Sequence, residues 1–192
     1  LGIIVSNLPD YGTHEVSDHA LAMMLCLTRK VAMANSLVKA GQWDFRLMHP
    51  IHRHQVQTIG IIGLGRIGSA MAHKTHALGM RVIAHDPYVA ADKIPDYVTL
   101  VSLDELLEQS DVVSVHCPLS ETTRYMLDEA KLRLMKPSAY LINTARGSIV
   151  DEAALDTLLG EKKLAGAAMD VFSVEPGSPG HPLFRLETLL CR

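Results

Sequence analysis

The sequence is poor in the features that mark several protein classes. Its three cysteines, Cys26, Cys117 and Cys191, are scattered and form no CxxC pair. That spacing argues against a disulfide framework and a zinc site, and it favours a reducing compartment such as the cytoplasm. The formal net charge of −3 gives no electrostatic basis for binding nucleic acid or an acidic membrane surface. No apolar run is long enough to span a membrane, and no signal-peptide pattern is present.

What remains is an ordinary globular composition. Hydrophobic residues make up 48% and charged residues 20% of 192 residues, which suits one domain with a sizeable core, or one domain with an extension. Both ends look cut, because the chain starts at Leu1 without methionine and stops where another strand begins near Leu189. We therefore expect residues 1–192 to be one domain of a longer polypeptide.

A glycine-rich motif is the strongest signal in the chain. The apolar run 58–62 predicts a buried strand, Gly63-x-Gly65-x-x-Gly68 follows it, and a helical pattern begins at once. The first glycine allows a sharp turn, the second allows close approach to a diphosphate, and the third lets the helix lie against the sheet. A diphosphate would then lie at the helix N-terminus. The alternative is a glycine-rich turn that binds nothing.

An aspartate follows the next predicted strand. The apolar run 80–85 ends at Asp86, whose carboxylate can accept hydrogen bonds from both ribose hydroxyls of an adenosine. The same charge would repel a 2′-phosphate, and residues 87–89 supply no cation to attract one. The combined pattern predicts a dinucleotide site and favours NAD over NADP.

Strands and helices alternate through the rest of the chain, which predicts an α/β fold with a doubly wound parallel sheet covered on both faces. Further strands are predicted at 111–116, 139–144 and 166–170, and helices at 102–109 (with a capping box), 128–134 and 151–159. The stretch 87–100 is predicted to be a loop. Residues 1–7 are predicted to be extended, and residues 8–12 to form a turn.

One long helix is predicted to start at an N-cap, Thr13, with Glu15 in its first turn, and to end at residues 39–41. Its apolar face suits packing on its own domain or on a second subunit. The connector 42–57 carries His52 and His54, a spacing that suggests a metal, but no carboxylate or cysteine lies nearby to complete the site. We therefore predict no metal site, and we interpret this connector as an extended arm that contacts a partner subunit.

Chemically active residues collect where the predicted strands end. Gly63, Asp86, His116–Cys117, the stretch 143–146 and Asp170 all follow strands of the parallel sheet. In open α/β sheets that edge forms the ligand crevice.

Two charged residues near this edge are catalytic candidates. Arg146 follows a strand, and its guanidinium can bind a carboxylate bidentately and polarise an adjacent carbonyl; the alternative is a surface salt bridge to Asp151 or Glu152. Glu175 lies in a loop, where a carboxylate could orient a histidine, or where it could simply be solvated. Asp170 could accept a hydrogen bond from a nicotinamide carboxamide, or could cap a helix or form a turn.

Several joined motifs resemble the D-isomer-specific 2-hydroxy-acid dehydrogenases, in particular the phosphoglycerate dehydrogenase-like enzymes. The motifs are residues 60–68, 113–119, 141–147 with 150–152, and 167–172 with Glu175-Pro176. Residues 11–20 are similar to the helix that opens the family's nucleotide domain. The match follows the family's order along essentially the whole chain.

The resemblance implies an NAD-binding domain inserted into a substrate domain that this chain lacks, and a homodimer formed through residues 13–57. It implies that Arg146 holds the carboxylate of a 2-hydroxy or 2-keto acid and that Glu175 supports a catalytic histidine. The implied cofactor contacts are Arg66 and Ile67 for the diphosphate, Asp86 for the ribose, and His116, Cys117, Pro118, Thr144, Ala145 and Asp170 along the cofactor.

The family's acid–base histidine belongs to a Pro-His pair beyond Arg192, and His181 comes too early for that role. We therefore expect this chain alone to bind NAD without turnover. Two other functions remain open: an NAD-sensing co-repressor-like interaction module, and a Rossmann domain of another NAD enzyme.

Overall fold

The computed structural model describes residues 2–6, 8, 11–177, 179–186 and 188–191. The strands are β1 Thr58–Ile62, β2 Arg81–His85, β3 Val98–Leu100, β4 Val112–Val115, β5 Tyr140–Asn143, β6 Gly166–Met169 and β7 Leu189–Cys191. The α-helices are α1 Thr13–Thr28, α2 Val31–Lys39, α3 Arg66–Ala77, α4 Leu103–Gln109, α5 Glu129–Leu132 and α6 Glu152–Gly160. Short 3₁₀ helices span Phe45–Met48, His54–Val56, Ala91–Lys93, Gly147–Ile149 and Pro182–Arg185.

The strands form one parallel sheet in the order β3-β2-β1-β4-β5-β6-β7. The order reverses between β1 and β4, which is the switch point where doubly wound sheets bind ligands. Helices cover both faces, as parallel sheets require, so the predicted α/β doubly wound fold is confirmed.

Side chains of β1 alternate between two cores. Ile59 and Ile61 pack with α1 and α3, whereas Ile62 packs on the other face with α4. On that second face a Cβ at Gly60 would overlap Ser110 and Leu106, so glycine lets α4 lie close against the strand. This packing holds the first strand, and the glycine turn that follows it, rigidly at the centre of the sheet.

The N-terminal helix differs from the prediction in two ways. Thr13 is the first helical residue, and Gly12, at φ 78°, precedes it without a side-chain cap. The predicted long helix is also broken, because Lys30 adopts φ 54° between α1 and α2. The Arg29 and Lys30 side chains donate to the carbonyl groups of residues 52 and 49, so contacts with the arm accompany the break.

Glu15 lies in the first turn of α1 as predicted. The apolar face of α1 packs within this chain, where Ala20, Met23 and Met24 are buried. By contrast, α2 buries none of its residues.

Elsewhere one predicted loop contains a strand. The stretch 87–100 includes β3, a three-residue edge strand with two exposed positions, so it carried no apolar pattern. The capping box at Ser102 and Glu105 is confirmed, as is the strand near Leu189. Residues 2–6 form no regular element, and the predictions for Leu1, Asn7, Pro9 and Asp10 fall outside the described residues.

The described part of the chain contains no single membrane-spanning helix and no cluster of metal ligands. No single helix there is long and apolar enough to cross a membrane; α1 and α2 pass that test only as a pair, which is bent by 55°. No group of three or more histidine, cysteine or acidic residues could hold a metal ion there. The His54 Nε2 atom instead forms a hydrogen bond with the Thr28 hydroxyl at 3.1 Å, and burial lowers the pKa of the His54 imidazole.

Candidate cofactor site

Five central strands end at the same level. Ile62 is aligned with His85 and Val115, and the same row continues through Asn143 and Met169. The residues that follow these ends therefore form a second row along one edge of the sheet: Gly63, Asp86, His116, Thr144 and Asp170. The structure thus brings together, along about one strand spacing per step, residues that are far apart in sequence.

The three glycines of the motif have different surroundings. Gly63 has φ 90°, and a Cβ there would lie 2.7 Å from the Cys117 nitrogen. A Cβ at Gly68 would overlap the carbonyl oxygen of Gly63. A Cβ at Gly65 would meet nothing within 4 Å. Glycine is therefore required by packing at the first and third positions, whereas at the second it leaves space open beside the backbone.

That open space lies at the N-terminus of α3. The helix starts at Arg66, and Gly65 precedes it without a side-chain cap. Backbone amides in the first turn of a helix point out of its N-terminus, and Arg66 and Ile67 lie in that turn of α3. Together with the helix dipole they suit a diphosphate, so this turn fits the cofactor that the sequence predicts.

Asp86 contacts the glycine turn directly. One carboxylate oxygen accepts from the Leu64 amide at 2.7 Å and the other from the Tyr88 amide at 2.8 Å. A carboxylate oxygen can accept more than one hydrogen bond, so both oxygens keep capacity for ribose hydroxyls. Burial, with a contribution from the Asp86 charge, raises the pKa of the Cys117 thiol to about 11.

The residues after β4 are uncharged near neutral pH. Burial lowers the pKa of His116 to about 4, and its Nε2 lies 2.9 Å from the Ser114 hydroxyl. Pro118 is exposed, and its carbonyl accepts a hydrogen bond from the Thr123 hydroxyl at 2.7 Å. A neutral wall of this kind suits the uncharged parts of a dinucleotide.

A buried asparagine shapes the turn after β5. The Asn143 amide donates to the Arg146 carbonyl at 3.0 Å, and its oxygen accepts from the Ala145 amide at 3.0 Å. The hydroxyl of Thr144 is buried and has no hydrogen-bond partner among the described residues. The sequence signal for this turn was a polar residue at the end of a buried strand.

Arg146 is exposed, and its guanidinium donates only to the neighbouring Ala145 carbonyl, at 2.6 Å, within the described part of the chain. The alternative salt bridge is not formed, because Asp151 caps α6 through the amides of residues 153 and 154. Glu152 instead accepts hydrogen bonds from Ser173 and His181. The guanidinium is therefore available to a ligand.

Asp170 lies 3.4 Å from the Nε2 atom of His19 on α1. Its amide donates to the Asn143 carbonyl at 3.0 Å, which fixes it beside the turn after β5. Sequence reasoning missed His19, because nothing local to residues 13–28 indicates which strand end the helix crosses.

Glu175 accepts a hydrogen bond from the Phe172 amide at 3.0 Å. The loop that carries it packs directly on the arginine turn, because a Cβ at Gly147 would overlap the backbone of Phe172 and Ser173. Arg146 and Glu175 therefore belong to two segments in contact.

A cavity of about 550 Å³ lies at the opposite edge of the sheet, near Gln57, Ser138 and Thr188, where the strands begin. None of the predicted site residues lines it, so the predicted chemistry belongs to the other edge.

The family comparison agrees with this geometry. The family described as "D-isomer specific 2-hydroxyacid dehydrogenase, NAD binding domain" matches residues 21–192. The chain belongs to this family. The resemblance drawn from the motifs and the prediction of NAD as cofactor are both confirmed.

The chain is also similar to individual 2-hydroxy-acid dehydrogenases and reductases over most of its length. The chain is 40% identical to a D-3-phosphoglycerate dehydrogenase of Archaeoglobus fulgidus over 98% of its own length and 36% of that protein. It is 40% identical to a glyoxylate reductase of Korarchaeum cryptofilum over 98% of its own length and 58% of that protein.

Among solved structures, D-lactate dehydrogenase from Aquifex aeolicus, complexed with NAD and lactic acid, superposes with a TM-score of 0.90 at 32% identity. The alignment covers 99% of this chain and 62% of that one. The chain thus spans between about a third and three fifths of these relatives.

Proposed function

We propose that the subunit containing this chain is an NAD-dependent oxidoreductase that interconverts a 2-hydroxy acid and its 2-keto acid. The observation that carries the proposal is the aligned row of strand ends, with the glycine turn and Asp86 on one side and the arginine turn on the other. NAD, when bound, supplies the hydride acceptor, and NADH the hydride donor.

Each part of the row would have a separate task. The open side of Gly65 and the first-turn amides of α3 would bind the diphosphate, with Gly63 and Gly68 shaping the turn. Asp86 would bind the adenosine ribose and disfavour a 2′-phosphate. The remaining residues would line the cofactor: His116, Cys117, Pro118, Thr144, Ala145 and Asp170.

The two charged candidates would act on the substrate. The exposed guanidinium of Arg146 would hold the substrate carboxylate through two parallel hydrogen bonds and polarise the adjacent carbonyl. Glu175 would orient a histidine outside this chain, and that histidine would donate or accept the proton at the substrate oxygen. The names of the relatives support a 2-hydroxy or 2-keto acid as the substrate class.

The exposed helix α2 and the arm suit a subunit contact, and the free cysteines suit a reducing compartment. We propose a homodimer formed through α2 and the arm, and a reducing compartment such as the cytoplasm, since Cys26, Cys117 and Cys191 are all free thiols. No observation favours the co-repressor-like alternative.

The test uses the full-length subunit with NADH and a panel of 2-keto acids. We expect steady NADH oxidation with at least one acid and, for Arg146→Lys, at least a hundredfold loss of turnover with unchanged NADH affinity. Lysine keeps the charge but loses the planar fork. Arg133→Lys, at an exposed ion pair with Glu129, is the matched control and should keep full activity.

Absence of NADH oxidation with every 2-keto acid would contradict the proposed activity, and two further outcomes would contradict the proposed residue roles. One is full activity of the Arg146→Lys variant, which would remove the carboxylate role. The other is steady oxidation of a 2-hydroxy acid by residues 1–192 alone, because we expect this chain to bind NADH in calorimetry without turnover.

A further inference from the structure

Glu152 is an acid whose side chain is 12% exposed, at the start of α6. Its carboxylate accepts three hydrogen bonds, from the Ser173 amide at 2.6 Å, the Ser173 hydroxyl at 2.8 Å and His181 Nε2 at 3.2 Å. Largely buried carboxylates cost desolvation free energy unless such partners compensate for the lost water. Both carboxylate oxygens therefore accept hydrogen bonds from these two residues.

The two partners lie at opposite ends of the loop that carries Glu175. Ser173 lies two residues before Glu175, and His181 is the N-cap of the 3₁₀ helix Pro182–Arg185 that follows the loop, where its Nδ1 accepts from the Leu183 amide. The His181 ring also packs against Phe172 and Phe184, with ring centroids 5.2 and 5.1 Å apart. One carboxylate thus ties together both ends of the loop within the described residues.

The same carboxylate is linked to the arginine turn through the chain. Only the 3₁₀ helix Gly147–Ile149 and two further residues separate Arg146 from Glu152. Gly147 touches the backbone of Phe172 and Ser173 so closely that no side chain fits there. The relative position of the two segments therefore depends on both the Gly147 contact and the Glu152 hydrogen bonds.

We propose that Glu152 is a positioning residue that fixes Glu175 relative to Arg146 by binding Ser173 and His181. It acts through these partners and does not touch the substrate. This inference rests on the proposed function, because it assigns a purpose to the Arg146–Glu175 arrangement. Misplacing catalytic groups by about 1 Å can cost about a hundredfold in rate, so a residue that sets their spacing should affect turnover more than cofactor binding.

The variants Glu152→Ala and Glu152→Gln test this in the full-length subunit. Alanine removes all three hydrogen bonds, whereas the glutamine oxygen can still accept from the Ser173 amide, so the effect of glutamine should be intermediate. Glu161→Ala, at the other end of the same helix in an exposed pair with Arg133, is the matched control. We expect at least a tenfold fall in kcat for alanine, partial rescue by glutamine, and NADH affinity within twofold of wild type for all three.

The pH profile separates positioning from simple loss of stability. If Glu175 supports a histidine that must be protonated to reduce the keto acid, its displacement lowers that histidine's pKa. The alkaline limb of the kcat profile should then move to lower pH in Glu152→Ala and stay in place in Glu161→Ala. An unchanged kcat and an unchanged profile in Glu152→Ala would overturn the proposal.

Amide hydrogen exchange on residues 1–192 provides a readout that does not depend on activity. Glu152→Ala should speed exchange of the Ser173 and Phe172 amides at least tenfold, with Glu161→Ala unchanged. If wild-type subunit turns over no 2-keto acid, the proposed function fails, and exchange alone decides whether Glu152 holds the loop. Unchanged exchange in Glu152→Ala would overturn the positioning role.

Discussion

Asp86 shows how one side chain can serve both the fold and a ligand. Its oxygens each accept one amide hydrogen bond, from Leu64 in the glycine turn and from Tyr88 after the strand. The carboxylate is therefore fixed in place before any ligand arrives, which lowers the entropic cost of binding ribose hydroxyls.

Replacing Asp86 with alanine should weaken NADH binding and reduce the preference over NADPH. Hydrogen bonds to a charged acceptor contribute about 1.5–3 kcal/mol, so we expect Kd for NADH to rise about tenfold or more. Calorimetric titration with both nucleotides measures this. Asp104→Ala, which removes an acid on α4 that pairs with Lys131 on α5, is the control. Unchanged affinity for both nucleotides would refute the ribose assignment.

His116 makes stability depend on pH in a defined direction. Burial lowers the pKa of the folded imidazole to about 4, while an unfolded histidine has a pKa of about 6.5. Between these values the unfolded state binds the additional proton, so the stabilising contribution is complete above about pH 6.5 and is lost as pH falls toward 4. By pH 5 the loss is about 2 kcal/mol.

Urea unfolding at pH 7.5 and pH 5 tests this on wild type and His116→Gln. We expect the wild type to lose about 2 kcal/mol more than the variant over that range, because glutamine does not titrate. Other groups contribute equally to both proteins and cancel in the difference. Equal losses would show that His116 is not held neutral by the fold.

At the scale of single residues, the sequence predicts which side chains follow the end of a strand. It does not predict which distant residues those side chains contact. Asp86 follows an apolar run that any parallel-sheet prediction brings to the ligand edge. The approach of His19 to Asp170, and the bonds from Glu152 to Ser173 and His181, join distant segments. No local periodicity encodes such pairs, because they depend on how helices cross the sheet.

The junction between β1 and α3 is the element on which the cofactor site depends. Its outer glycines are enclosed by backbone, at Cys117 for Gly63 and at Gly63 itself for Gly68, while Gly65 faces open space. Packing and binding therefore make separate demands on neighbouring positions of one motif.

The variants Gly68→Ala and Gly65→Ala should separate these demands. Alanine at 68 must displace the strand from the helix, and such overpacking costs about 1–3 kcal/mol, so we expect Tm to fall by several degrees. Alanine at 65 fits the observed φ of −73° without strain and should leave Tm unchanged. Its methyl group would occupy the space for the diphosphate, so NADH affinity should fall at least tenfold. Normal NADH affinity in Gly65→Ala would contradict the diphosphate assignment.

Among the elements, those with a strong local signal were predicted and those set by distant contacts were not. The capping box at Ser102 and Glu105 gave the start of α4, and apolar runs gave the central strands. The break at Lys30 was missed because an unbroken helical pattern spans it, while side-chain bonds to the arm accompany the turn. The edge strand β3 was missed because only Val98 of its three residues is buried.

At the scale of the whole molecule, the surface formed by α2 and the arm exposes several large apolar side chains. No residue of α2 is buried, and Val31, Met33 and Val38 are exposed. In the arm that follows, Trp43 is 89% and Phe45 70% exposed, beside a groove of about 770 Å³. Contiguous apolar patches of this kind mark interaction sites, and two-fold symmetry lets one patch meet its own copy.

We therefore predict that residues 1–192 form a dimer at micromolar concentration, and that the double variant Trp43→Ala/Phe45→Ala is a monomer. Buried aromatic side chains dominate interface free energies, and each buries about 150–250 Å², so losing two should raise the dimer Kd by at least a hundredfold. Sedimentation velocity gives both masses.

The control variant is Leu100→Ala, which changes an exposed apolar residue on the edge strand β3 and should remain dimeric. The double variant should keep its NADH affinity, because neither aromatic lies on the row of strand ends, and its circular dichroism should match that of wild type. A monomeric wild type would refute the predicted dimer, whereas a dimeric double variant would place the dimer interface elsewhere on the molecule.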